Sequence, residues 1–235
     1  MSGMEVLAIL LFISSIPVIA VFIWFRLAKY QFSINKFLFA LLAGTVAVFP
    51  ALILQRILLA LPVPTEGKLA LFFEYFIRIA FTEEFSRLII LIILFFAIHR
   101  LSSRQAEQTS ADPQDTEENT TEGAIGLIAG LGFAILESAV ISASNPDITL
   151  MRTFTAAPLH GACGFRVGSS VLMFREHPVH AFFRFLSAVA IHGIYNFMLT
   201  IPGRLPSVAA ILIALFALVS SVLAIHNSMK DEEPV

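Results

Sequence analysis

The stretch FTEEFSRLIILIILFF, residues 81–96, sets two adjacent carboxylates, Glu83 and Glu84, and a cation, Arg87, at the head of an unbroken apolar run. Joined to the residues before it, that run is long enough to cross a bilayer as a helix. The pattern recurs along the chain. Of 235 residues, 57% are hydrophobic and 14% charged, and mean hydropathy is +0.85, where a soluble domain would carry about 25% charged residues. Seven segments are each about as long as a spanning helix needs to be, roughly 4–25, 35–61, 68–99, 123–143, 151–174, 180–201 and 205–227. The sequence therefore predicts an all-α, polytopic membrane helical bundle of about seven transmembrane helices. One membrane domain over 1–235 fits the length and leaves no sizeable soluble unit.

Val6 to Phe25 lacks a basic leader and a small-x-small cleavage site, so a retained first span is expected. The lone Cys163 excludes an internal disulfide. A net charge of −2 gives no footprint for nucleic acid. Pro62 and Pro64, Asn145-Pro146 and Pro202-Gly203 punctuate alternate connections. Residues 101–122 are polar, acidic and free of aromatics, which reads as a flexible, solvated cytoplasmic loop without assigned structure. Arg26, Lys29, Lys36, Arg100, Arg104, Arg175 and Lys230 cluster at one set of span ends. Basic residues favour the cytoplasmic side, so the expected arrangement in the cell membrane is N-terminus out and C-terminus in.

A charged group near the bilayer centre costs about 2.5–3.5 kcal/mol even on a lenient scale, so such groups face a bundle interior or a wet cavity. At 100° per residue, Glu83 and Arg87 lie about 40° apart and Glu84 and Arg87 about 60°. Arg87 can pair with either acid, but a structural ion pair needs only one of them. Gly123, Gly126, Gly130, Ala134 and Glu137 fall within an arc of about 80°, which places Glu137 on a tightly packed face. Gly161, Gly164 and Gly168 form a second small-residue stripe with His160 at its end. His192 and Asn196 share a face at i, i+4. Each alone has a bland alternative as a packing or hydrogen-bonding residue. Counted from the expected outer ends, the five sites lie roughly 9–23 Å deep at 1.5 Å per residue. Four helices thus bring acids, imidazoles and an amide to overlapping depths in the outer half of the bilayer. By contrast, Glu74 and Arg78 look like a local i, i+4 pair facing away from Glu83, and Arg56 and Arg152 look like snorkelling residues at the outer interface.

Carboxylates with imidazoles inside a membrane suit the activation of water. The remaining His and amide suit stabilisation of a tetrahedral oxyanion. Cys163 sits one turn from His160 but lacks a further orienting partner, and no HExxH is present. A zinc ion held by Glu84, Glu137, His160 and His192 is chemically admissible. Buried Glu and His also relay protons in transporters, although no inverted repeat is visible; a non-catalytic bundle that binds a partner is the third class.

The ordered set Glu83-Glu84-Phe85-Ser86-Arg87, Gly132-Phe133-Ala134-Ile135-Leu136-Glu137, His160 and His192-Gly193-Ile194-Tyr195-Asn196 resembles the PrsW family of intramembrane proteases, relatives of the CAAX prenyl endopeptidases. The resemblance covers about half the chain, residues 81–197. It departs from the usual pattern at Arg87, where Lys is typical, and at Ser138, where Asn is typical. The resemblance implies an endopeptidase that cleaves a single-span membrane protein, such as an anti-sigma factor, on its extracytoplasmic side. It further implies that Glu83 or Glu84 works with His160 on water, that His192 and Asn196 hold the oxyanion, and that Arg87 and Glu137 orient the acids. Some schemes label the family a metalloprotease, whereas its CAAX relatives look like metal-free glutamate proteases.

Overall fold

The computed structural model describes residues 3–30, 32–62, 66–109, 118–144 and 149–231. They form an all-α bundle without strands among the described residues: α1 (Gly3–Ser14), α2 (Ile16–Leu27), α3 (Ile34–Leu59), α4 (Gly67–Phe72), a π-helical segment (Phe73–Phe81), α5 (Thr82–Thr109), α6 (Glu118–Ser144), α7 (Thr149–Met173), α8 (Pro178–Thr200) and α9 (Arg204–Asp231). α1 and α2 make one interrupted span, with Pro17 just inside α2, because proline cannot donate to the preceding turn. α4, the π segment and α5 run on as a single long rod. The seven rods match the seven expected segments. Five of them, Met4–Leu27, Ile34–Leu59, Glu122–Ala143, Pro178–Thr200 and Arg204–Ser228, are long and apolar enough to cross a membrane. The other two, containing α5 and α7, carry most of the buried charge.

Two features depart from the expectation. The third rod is not uniformly α-helical: the π segment ends one residue before Thr82, and its i→i+5 bonding re-phases side chains relative to 100° per residue. The polar stretch 101–122 is helical at both ends, with α5 reaching Thr109 and α6 starting at Glu118. Arg104, Gln105, Ala106, Glu107 and Gln108 are good helix formers, so the chain prolongs α5 beyond its apolar part. Residues 110–117, with Pro64 and Asn145-Pro146, lie outside the described residues.

α6 is the central helix. Every residue from Gly123 to Ala134 is buried, the mark of a helix surrounded on all sides. It packs most heavily on α7, then on α3. The two glycine stripes meet here. A Cβ at Gly126 would stand 2.2 Å from the Gly164 carbonyl oxygen, and one at Gly130 only 2.0 Å from that of His160. Side chains at these points would force the helices apart, so small residues are what permit backbone-to-backbone contact there, as they do between α3 and α6 at Gly44 and Gly132. The outside is a belt of exposed Phe, Leu and Ile, including Phe12, Phe49, Ile93, Phe182 and Phe216. An apolar surface of that extent is matched to lipid.

Candidate active site

The site lies where α5, α6, α7 and α8 converge, with α3 closing one side. Thr82, Glu83, Glu84, Ser86 and Arg87, all in the first two turns of α5, are buried. The adjacent acids have separate partners. Glu84 Oε2 pairs with Arg87 Nη1, and Glu84 Oε1 lies 2.8 Å from His192 Nδ1. Glu83 Oε1 accepts a hydrogen bond of 3.0 Å from Gln55 Nε2 on α3. Glu83 Oε2 is buried without a hydrogen-bond partner, and His192 Nε2 stands 3.7 Å from it.

Arg87 fixes the state of the second imidazole. Its Nη2 lies 3.2 Å from His160 Nδ1. A guanidinium only donates, so Nδ1 of His160 must be the accepting, unprotonated nitrogen. The ring proton is then on Nε2, which donates to Glu137 Oε2 over 3.0 Å. Glu137 Oε2 also accepts from Arg152 Nη2 at 2.5 Å, and Arg152 Nε reaches Ser138 Oγ at 3.4 Å. The guanidinium of Arg87 stacks on Phe133, 4.6 Å from the ring centroid, and the two imidazoles meet edge to face at 4.9 Å.

The structure thus brings Glu83, Glu84, Arg87, Glu137, His160 and His192 into one connected network. Asn196, one turn beyond His192 and half-buried, takes part in none of these contacts. Arg152 is corrected: it does not snorkel to the interface but turns inward, because Glu137 lies one short step across the α6–α7 contact. Glu74 and Arg78 form the expected local pair, half-exposed. Sequence reasoning missed Gln55. It lies four residues from the end of α3, and the available signal was an amide next to the apolar run Ala51–Leu54.

Three carboxylates (Glu83, Glu84, Glu137) face two guanidiniums (Arg87, Arg152). Three minus two leaves one acid without a guanidinium of its own, an excess that a proton or a bound cation can balance. One oxygen of Glu83 and one nitrogen each of His160 and His192 lie within 4.8 Å of one another. A carboxylate with two imidazoles is a donor set that zinc accepts. Behind each imidazole stands a carboxylate, Glu84 for His192 and Glu137 for His160, as is usual for metal-binding histidines. The residues therefore fit a divalent metal, provided His160 Nδ1 gives up Arg87. The expected set named Glu84 and Glu137 as ligands; in the structure these two stand behind the imidazoles and Glu83 is the converging acid.

A sequence model of the family described as PrsW family intramembrane metalloprotease matches residues 33–224. No curated protein and no solved structure matches the chain.

Proposed function

The chain belongs to the PrsW family of intramembrane metalloproteases, peptide hydrolases of multi-pass membrane architecture, and from that premise we propose that Glu83 is the group that activates water. The observation that carries this is the free oxygen, Glu83 Oε2, buried and unpaired opposite His192 Nε2. Their 3.7 Å separation is too long for a direct hydrogen bond, but an oxygen roughly 2.8 Å from each closes a triangle. Gln55 holds the other oxygen of Glu83, so the carboxylate presents a defined lone pair.

In the proposed reaction Glu83 Oε2 takes a proton from water as the water oxygen bonds to the scissile carbonyl carbon. The carbonyl π electrons move to the oxygen, and His192 Nε2–H with the Asn196 amide donates to that oxyanion. Collapse of the intermediate breaks the C–N bond, and Glu83 returns its proton to the leaving amine. Arg87 and Glu137 fix the ring of His160 in one tautomer, which keeps its edge against His192. A metal held by Glu83, His160 and His192 would supply Lewis acidity and a more acidic water. The substrate is a single-span membrane protein, for example an anti-sigma factor, cleaved in the outer half of the cell membrane. This depth is supported by Gln55 and Arg152, which approach the cluster from helix ends on the side expected to be extracytoplasmic.

Glu83→Gln, Glu84→Gln, His160→Ala and His192→Ala are expected to abolish cleavage of a reconstituted single-span substrate while the protein stays folded and monodisperse. Full activity in Glu83→Gln sinks the proposal. Metal analysis of wild type and Glu83→Gln, purified without chelator, decides the cofactor: about one ion per wild-type chain, lost in the variant, supports the metal-bound form.

A further inference from the structure

Outside the Glu/His cluster, a second polar feature lies between the C-terminal end of α7, the start of α8 and the C-terminal end of α9. A cavity of about 230 Å³ is lined there by Phe165, Ser169, Leu172, Met173, Arg184 and Ser228, among others. That is below the roughly 300 Å³ of ordinary small-molecule clefts, too small for a peptide and suited to a headgroup-sized ligand.

Arg184 is the cavity's charged residue. It lies in the second turn of α8, its guanidinium stacks on Phe165 at 5.3 Å, and its Nε is buried without a partner. The charge that acts on it is another cation, Arg166. Arg166 is half-buried and donates to neutral oxygens: the Ala162 carbonyl at 3.0 Å, the Ala217 carbonyl at 3.4 Å, Ser221 Oγ at 3.1 Å and Ser220 Oγ at 3.0 Å. Among the described residues neither arginine has a carboxylate partner. Every other guanidinium inside the bundle core, Arg87 and Arg152, does. Two uncompensated cations inside spanning helices are expensive unless an anion from outside the chain completes them. Ser169 and Ser228 donate to backbone carbonyls, yet hydroxyls rotate and can turn to acceptor oxygens.

We propose that this cavity binds the headgroup of an anionic phospholipid, with its phosphate on Arg184 and its chains along the exposed apolar surface of the same bundle end, where Phe174, Phe182 and Phe183 face outward. A basic pocket between spanning helices at headgroup level is the setting in which such lipids are held. The charge of Arg166, which adds to that of Arg184, selects a net-negative headgroup over a zwitterionic one.

The test is native mass spectrometry of the full chain from vesicles containing equal parts phosphatidylglycerol and phosphatidylcholine. Wild type is expected to retain one phosphatidylglycerol per chain, and Arg184→Gln to reduce that retention at least fivefold. Ser228→Phe, which fills the cavity from α9 without changing charge, is expected to do the same. Arg175→Gln, an exposed arginine in the neighbouring turn, is expected to leave it unchanged. Equal retention by wild type and Arg184→Gln overturns the site, and so does an equal loss in Arg175→Gln, which would mark a diffuse surface-charge effect. Equal retention of the two lipids overturns the selection by charge. Displacement of the lipid by millimolar inorganic phosphate would reassign the cavity to a free anion and overturn the lipid headgroup.

Discussion

Replacing Arg87 with methionine should separate what this residue does for the fold from what it does for the chemistry. Arg87 is fully buried, paired with Glu84, donating to His160 Nδ1 and stacked on Phe133. Methionine keeps an unbranched stem but leaves Glu84 buried without its guanidinium. Breaking one side of a buried ion pair costs about 3–5 kcal/mol. His192 remains on Glu84 Oε1, which puts the loss at the lower end, about 3 kcal/mol, or more than a hundredfold in the folding equilibrium. The informative partner is the double variant Glu84→Gln/Arg87→Met. With both charges gone the burial penalty disappears, so the second substitution should restore at least about 1 kcal/mol rather than add to the damage. Activity should not return, because Glu84→Gln by itself is expected to abolish cleavage and Arg87 also orients His160. Equilibrium unfolding in mixed micelles reads the stabilities, and cleavage of a reconstituted single-span substrate reads the activity. A double variant less stable than Arg87→Met would refute the paired-charge argument, and a double variant with full activity would refute the orienting role of Arg87.

Gln55→Ala frees Glu83 Oε1; a hydrogen bond to a charged group is worth about 1.5–3 kcal/mol, so kcat should fall ten- to a hundredfold with KM little changed, and an unchanged kcat removes Gln55 from the site. Gly130→Ala puts a methyl about where the His160 carbonyl sits, 2.0 Å away; overpacking of this kind costs about 1–3 kcal/mol, and both thermal stability and cleavage should drop, whereas wild-type values for both would show that α6 and α7 need not touch. Arg152→Gln leaves Glu137 with His160 alone; cleavage should fall several-fold while Arg152→Lys recovers most of it, and equal losses in the two variants would contradict a charge-based role.

Much of this architecture was legible along the chain because lipid imposes a strong rule. A spanning helix needs about 20 apolar residues, so seven such segments announced seven rods. Small residues at i, i+4 spacing on two helices announced the close α6–α7 contact, since only glycine allows two backbones to meet as they do at Gly126 and Gly164. Charge in an apolar segment announced Glu83, Glu84, Arg87, Glu137, His160 and His192 as a buried set, because nothing but a shared interior makes such residues tolerable in lipid.

Pairing was a different matter. By sequence spacing alone Arg87 could serve either acid, and the adjacent carboxylates were interchangeable. The fold distinguishes them. Glu84 points to Arg87 and His192, and Glu83 points to Gln55 with one oxygen left over. That choice depends on which helices flank α5, a long-range fact that no local spacing encodes. The same holds for Arg152, which local reasoning sent to the membrane surface and α6 draws inward, and for Gln55, whose importance comes only from the residue across from it. Hydropathy and helical periodicity are properties of one segment, and they determined the spans, the packed faces and the list of buried polar groups. Hydrogen bonds join residues up to 108 positions apart, as between Glu84 and His192, so the tertiary structure alone decided which acid is fully paired and which keeps an unpaired oxygen.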